Sequence, residues 1–258
     1  PLPQKYKVTY VTDWRYNFCF THIQEISVTL FWKVVKTSIK QQLTYRMALW
    51  AGLATNLFFG LLRAMLLIAL YGERVSVNGL TLEGSLTYVA LSQSLIAFLT
   101  IFGSWDVMNT VYSGAIGSDL LRPVHLFRFW MARDLGRSLV NLAGRGIIFM
   151  ALFALFYPVQ LPTDTGIWLL VILSLVLAWL VSFAWRFLVN LAAFWSPDAR
   201  GIGRIGFALA QFLSGFIMPL RLLPDWFSDL CKASPFPAMV NTPIEVYLGI
   251  LSGEHLAG

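Results

Sequence analysis

Charge is what this sequence has least of. Asp, Glu, Lys and Arg make up 12% of its 258 residues, about half of the roughly 25% usual in soluble domains. A water-facing surface cannot be tiled from so few charges while 57% of the chain is hydrophobic and 15% aromatic. The shortage excludes intrinsic disorder and an ordinary cytosolic enzyme. Two cysteines, Cys19 and Cys231, are too few for a disulfide scaffold. His22, His125 and His255 are scattered, and no His, Cys, Asp or Glu cluster has metal-ligand spacing. No Gly-x-x-x-x-Gly-Lys-Ser/Thr loop occurs, so these residues cannot cradle ATP phosphates themselves. No Ser, His and Asp fall on one face with a recognisable turn, which argues against a serine hydrolase. The first thirty residues lack the apolar core and cleavage site of a signal peptide.

Long apolar runs are what the chain has instead, with a mean hydropathy of +0.67. A helix needs about 20 mostly apolar residues to cross roughly 30 Å of hydrocarbon. Five stretches are expected to do so: Met47 to Gly72, Leu86 to Trp105, Gly146 to Thr163 with a start a turn or two earlier that includes Arg145, Thr165 to Trp185 with a continuation through Arg186 to Trp195, and Ile205 to Leu220. Their apolar runs are continuous and not alternating, which predicts helices and not barrel strands. The fold class is therefore an all-α integral membrane protein, a polytopic helical bundle. The net charge of +6 comes from basic residues dispersed between apolar runs, without the basic stripe of a nucleic-acid binder. Membrane lipids are the expected partner of such charges, and nucleic acid is not.

Loop charges give an orientation. Phe31 to Arg46 carries Lys33, Lys36, Lys40 and Arg46 and no acid, which predicts a cytoplasmic N-terminus. Glu73 to Gly84 and Pro158 to Gly166 suit the outside, while Trp105 to Arg145 and Ser196 to Arg204 suit the inside. In this topology Cys19 and Cys231 lie on opposite sides and do not pair, and an impermeant thiol reagent on intact cells reaches Cys231 at most.

Three segments between the spans stand out. Phe31, Val35, Ile39 and Leu43 recur every four residues beside the three lysines, predicting an amphipathic helix in the inner interface; a helix packed on a partner is the plainer alternative. After the break at Ile116-Gly-Ser-Asp-Leu-Leu-Arg-Pro-Val124, Pro123 is suited to the first turn of a new helix with Leu126, Phe127, Trp130 and Met131 on one stripe. That helix is expected to be short and to lie sideways under the membrane, either engaging a cytoplasmic motor or anchoring the next span. Between Pro219 and Gly249, Pro224, Pro235, Pro237 and Pro243 forbid a long helix, yet Trp226, Phe227, Phe236 and Tyr247 are too apolar for a free loop. Short helices dipping into the outer leaflet with their rings at the interface satisfy both constraints. Residues 1 to 30 show no clear period and read as an extension of unassigned role, apart from the unit at 31 to 258.

The order of these parts resembles the ABC-2 type transporter permeases, and within them the bacterial drug- and viologen-export branch. Leu120-Leu-Arg-Pro-Val124, Ser214-Gly-Phe-Ile-Met-Pro-Leu220, Leu223-Pro-Asp-Trp226, Ser234-Pro-Phe-Pro237 and Tyr247-Leu-Gly249 carry the likeness, over roughly residues 31 to 258. The resemblance implies six spans with both termini cytoplasmic, and so a sixth span beyond Gly258. It also implies a second permease subunit, identical or related, and cytoplasmic ATP-binding subunits that hold ATP and Mg; this chain binds no cofactor of its own and is not an enzyme. Asp119, Leu121, Arg122, Pro123 and Arg128 would then couple to the ATPase. Pro224, Trp226, Phe227, Pro235, Phe236 and Pro237 would form part of an extracellular gate.

Polar residues within the spans are candidates for a substrate path because burying them in lipid is costly. They are Asn56, Arg63, Gln93, Arg145 and Gln211. The plainer reading is that the arginines, Arg186 included, snorkel to headgroups and the amides bond across helices. The expected function is a permease subunit in the bacterial inner membrane that exports a small amphipathic or lipid-like solute with ATP hydrolysed elsewhere. The alternatives are an intramembrane enzyme on a lipid-linked substrate and a non-transporting anchor for a cytoplasmic complex.

Overall fold

The structure is a computed structural model that describes residues 15–121, 124–162, 164–196 and 198–250, with side chains from residue 28 onward. Arg122, Pro123, His255, Gly258 and the side chains of Cys19 and His22 lie outside the described residues.

Among the described residues the chain is almost wholly helical. Helix α1 (Arg15–Thr44) runs through residue 30 without a break and is followed by α2 (Arg46–Tyr71). The chain then turns through a short hairpin, β1 (Ser76–Val77) and β2 (Leu80–Thr81). Asn78 and Gly79 both have positive φ, 47° and 78°, the backbone of a two-residue hairpin turn that Asn-Gly favours. Thr81 Oγ1 accepts the Gly84 N–H at 3.1 Å and so caps α3 (Leu82–Phe98). Two short helices follow, α4 (Asp106–Tyr112) and α5 (Ile116–Leu120).

Next comes a continuous helical run, α6 (Leu126–Asn141), a π-helical stretch (Leu142–Ile147) and α7 (Ile148–Ala154). Asp164 caps α8 (Thr165–Leu191) by accepting the Gly166 N–H at 3.0 Å, and α9 (Arg200–Leu213) follows. The last described part holds two short helices, α10 (Asp225–Lys232) and α11 (Asn241–Tyr247), separated by a 3-10 turn (Phe236–Met239).

Three of these runs are long and apolar enough to cross a membrane: Arg46–Tyr71, Leu126–Ala154 and Thr165–Phe194. Their outer faces expose Phe58, Leu62, Ile147, Ile172 and Leu173, as a lipid-facing surface requires. The sequence count of five is not reached on length. Helix α3 has 17 residues and α9 has 14, about 25 and 21 Å at 1.5 Å per residue, short of the roughly 30 Å core. Helix α3 stops where Thr100 (φ 50°) and Gly103 (φ 83°) turn the backbone, and α9 stops ahead of Gly215 (φ 78°). In return α3 is the centre of the bundle, buried along nearly its whole length, with Tyr88, Ala90 and Ser92 at 1% exposure or less.

The helix after Pro123 also departs from expectation. It is not a separate short element but the first half of the run Leu126–Ala154, so the helix that carries the third apolar stretch begins about 20 residues before Gly146. Asp134 and Arg137 of this half are paired inside the bundle, which lets the helix continue through polar sequence. Helix α1 packs along it, with Val35 and Ser38 buried and Ser38 Oγ donating to the Arg133 carbonyl at 2.6 Å. Gly136 admits this contact, since a Cβ there would lie 2.6 Å from the Val35 carbonyl oxygen. Lys33, Lys36 and Lys40 stay exposed as the amphipathic pattern predicts, while Leu43 turns outward at 49% exposure.

The proline-rich segment holds the other correction. Its rings do not all reach an interface. Trp226 is 72% exposed, but Phe236 and Tyr247 are buried at 7% and 6%. Phe236, Met239, Val240 and Ile244 join the main core with Leu95, Leu99 and Trp179. Apolar residues close to a helix break gain more from α3 and α8 than from headgroups, so this segment folds back into the bundle.

Candidate functional site

Polar side chains gather at two levels of the bundle. The first lies where α3 gives way to α4, at the end opposite the hairpin. Asp134 on α6 and Arg186 on α8 form a two-pronged ion pair, with Arg186 Nη1 and Nη2 donating to Oδ1 and Oδ2 at 2.8 and 2.9 Å. Both side chains are nearly fully buried, at 3% and 4% exposure. Trp179 Nε1 donates to the same carboxylate at 3.0 Å. Arg137 joins it to Asp106, donating at 2.8 Å to Asp134 and at 2.6 Å to Asp106, the first residue of α4. Two acids and two guanidinium groups thus form an electrically neutral chain across three helices, the condition under which buried charges are tolerated.

Neighbouring amides and hydroxyls fix this chain to the backbone. Ser182 Oγ donates to the Leu99 carbonyl at 2.6 Å and Asn190 Nδ2 to the Ser104 carbonyl at 2.8 Å. Asn190 Oδ1 accepts the Met108 N–H at 3.0 Å. The corner between α3 and α4 is therefore held to α8 by side chains and not by apolar packing alone. A cavity of about 20 Å³ opens beside Asp106, Trp130, Arg137 and Arg186, enough for one water.

The second level lies among α2, α3 and the π-helical stretch, and it brings three of the five sequence candidates together. Arg145 Nη2 donates to the Gly52 carbonyl and to Asn56 Oδ1, each at 3.2 Å. Asn56 Nδ2 donates to the Gln93 carbonyl at 3.2 Å. Gly60 lets α2 approach here, because a Cβ would meet the Phe149 ring at 2.7 Å. Arg63 is engaged elsewhere: its guanidinium donates to the Phe216 and Ile217 carbonyls past the end of α9 and lies 5.1 Å from the Phe216 ring centroid. There it supplies donors to two carbonyls of the non-helical stretch that follows α9. Gln211 is half-buried near the end of α9, its carbonyl accepting Ser214 Oγ at 3.3 Å.

Among the coupling candidates, Asp119 lies in α5, Leu121 is 88% exposed just beyond it, and Arg128 is exposed in the first turn of α6. Of the gate candidates, Pro224, Trp226 and Pro235 are exposed, Phe227 is half-buried, and Phe236 and Pro237 are buried, with Phe236 edge-on to Trp185 at 4.9 Å. Arg221 and Glu245 tie the ends of this segment at 2.8 Å, and Asn78 of the hairpin donates to the Arg221 carbonyl at 2.8 Å. Sequence reasoning missed Asp134, Arg137 and Asp106 as a site, having read them as loop charges. The signal available was helical spacing: Trp130, Asp134 and Arg137 share one face.

A bundle of apolar helices, three of them long enough to cross a bilayer, with its charges paired inward, defines an all-α membrane protein. Residues 57–258 match the model of the ABC-2 family transporter proteins, and the chain belongs to that family. It is accordingly a permease-type transport protein and not an enzyme. The match begins within α2, so α1 lies ahead of it. Neither the curated proteins nor the solved structures compared with the chain gave a match.

Proposed function

We propose that this chain is the membrane subunit of an ATP-driven exporter in a bacterial inner membrane, moving an amphipathic or lipid-like solute outward. ATP and Mg are held by a separate cytoplasmic subunit, and a second permease subunit completes the path. The N-terminus and the α4–α5 end are cytoplasmic, and the hairpin and the Pro224–Gly249 segment face outward. The observation that carries this reading is a physical connection. The turn bearing exposed Leu120 and Leu121 leads back through α4 to Asp106, and from there through Arg137 and Asp134 to Arg186 on α8. A push on that turn reaches two long helices through charged contacts that resist stretching. The exposed leucines supply an apolar knob for a partner, and Arg128 supplies a charge beside it.

The test is a double reversal, Arg122→Glu with Arg128→Glu. Reversal at a solvated surface changes folding by about 0.5 kcal/mol or less. At an interface with acidic partner residues, like charges cost several kcal/mol. The variant should reach the membrane in normal amount yet fail to co-purify with its ATP-binding subunit or to support export. Normal assembly and export would leave this region as an anchor. Solute-stimulated ATP hydrolysis in reconstituted vesicles separates transport from anchoring.

A further inference from the structure

Among the described residues, six buried side-chain nitrogen or oxygen atoms have no hydrogen-bond partner, and five of them lie on one stretch of helix. They are Trp130 Nε1, Arg137 Nε, Ser138 Oγ, Asn141 Oδ1 and Arg145 Nε. With Asp134 these residues follow helical spacing along the Leu126–Ala154 run, at 130, 134, 137, 141 and 145 with Ser138 beside Arg137, which puts them on a single face. That face is turned inward: Asp134, Ser138 and Asn141 are 3%, 0% and 6% exposed. The opposite face carries Leu139 and Ile147, which are exposed. An unpaired buried polar atom is costly in protein and more so within hydrocarbon. Scattered defects would not align on one face over about 22 Å of helix.

We propose that this face lines a hydrated seam leading inward from the cavity at Asp106 and Arg137, and that the seam binds the anionic head of an amphipathic molecule, a carboxylate or a phosphate. The ligand class follows from donor and charge balance. Three of the five unpaired atoms are N–H donors, against one amide oxygen and one hydroxyl. Arg137 and Arg186 are neutralised by Asp106 and Asp134, but among the described residues Arg145 bonds only the uncharged Gly52 carbonyl and Asn56 amide oxygen. A cation left uncompensated beside free donors favours an anion. The ligand assignment rests on the reading of the chain as a transport subunit; the hydration does not.

The experiment uses the full chain with Cys19→Ala and Cys231→Ala, reconstituted in phosphatidylcholine vesicles and carrying Ser138→Cys, Asn141→Cys or Val140→Cys in turn. The probe is hydroxyethyl methanethiosulfonate, which is small, neutral and water-soluble. The seam requires Cys at 138 and 141 to react about tenfold or more faster than Cys at 140, where reaction waits on local opening. Equal, slow reaction at all three positions would overturn it. Dodecyl phosphate should slow the reaction at 141 about fivefold, and dodecyltrimethylammonium at the same concentration should not.

Added Arg145→Gln should abolish that protection while Arg145→Lys keeps it. Protection by the cation, or protection that survives Arg145→Gln, would overturn the anion assignment. Replacing part of the lipid with phosphatidylglycerol separates the sources. Protection without added dodecyl phosphate identifies a lipid headgroup, and protection only on its addition identifies a free amphiphile. None of these readings needs ATP turnover, so their failure leaves the transport function standing, and a failure of ATP-linked export would leave the seam.

Discussion

At the scale of single residues, the decisive feature is which charges are buried and which are not. Asp134 and Arg186 are almost fully enclosed, so Asp134→Ala strands a guanidinium inside the bundle. That loss should destabilise the protein by about 3–5 kcal/mol. Asp106 is 38% exposed in its side chain, and Asp106→Ala should cost about 1 kcal/mol or less because solvent screens the pair. Thermal unfolding in detergent compares the two directly; equal effects would mean that the chain of charges acts as one unit. Cys231 illustrates the same logic for reactivity. It is a free thiol with no exposed surface, and burial pushes its pKa up. Topology lets an impermeant maleimide reach Cys231 at most, and burial goes further: the reagent should leave Cys231 unmodified in the folded protein and label it after denaturation in SDS. Rapid labelling of native protein would show that α10 opens readily.

At the scale of elements, close helix contacts decide the architecture. Helix α1 lies on α6 only because Gly136 offers no side chain. Gly136→Ala places a Cβ 2.6 Å from the Val35 carbonyl oxygen and 2.7 Å from Ser38 Cβ, so the two helices must separate. Overpacking of this kind costs about 1–3 kcal/mol. The expected signs are a lowered melting temperature and faster proteolysis within α1, with α8 unaffected. An unchanged proteolysis pattern would mean that α1 is held by something other than this contact. The π-helical stretch is the second such detail. It contains Arg145 and Gly146, and Gly146 packs where a Cβ would come within 2.8 Å of the Ser94 carbonyl oxygen. An extra residue in the turn re-aims the side chains that follow, so α7 presents Phe149 and Phe153 to α2 and α3.

At the scale of the whole molecule, Val75 and Leu121 mark opposite ends of the bundle, being separated by α3 and exposed at 84% and 88%. In a background with Cys19→Ala and Cys231→Ala, an impermeant thiol reagent on intact cells should label Val75→Cys and spare Leu121→Cys until the membrane is permeabilised. The reverse pattern would invert the orientation given by the loop charges. What the sequence by itself determined is the solvent. So few charges among so many apolar residues require lipid around the chain, and both ends of Arg46–Tyr71 and the start of Thr165–Leu191 are legible within a residue because hydropathy is a local property.

Only the tertiary structure decided where charged sequence could stay helical and buried. Asp134 finds Arg186 52 residues away and Asp106 is joined through Arg137 across 31; no local pattern encodes such pairs. The shortening of α3 and α9 was likewise hidden. The break at Gly215 is held by Tyr88, whose hydroxyl donates to the Gly215 carbonyl at 2.7 Å, and by Asn241, whose backbone N–H donates to the Ser214 carbonyl at 3.0 Å. Sequence reading named Asn56, Arg63, Gln93, Arg145 and Gln211 together, whereas the structure brings Asn56, Gln93 and Arg145 to one place and engages Arg63 past the end of α9. Polarity marks a residue as costly in lipid, whereas the partner that relieves the cost is chosen by distance in three dimensions.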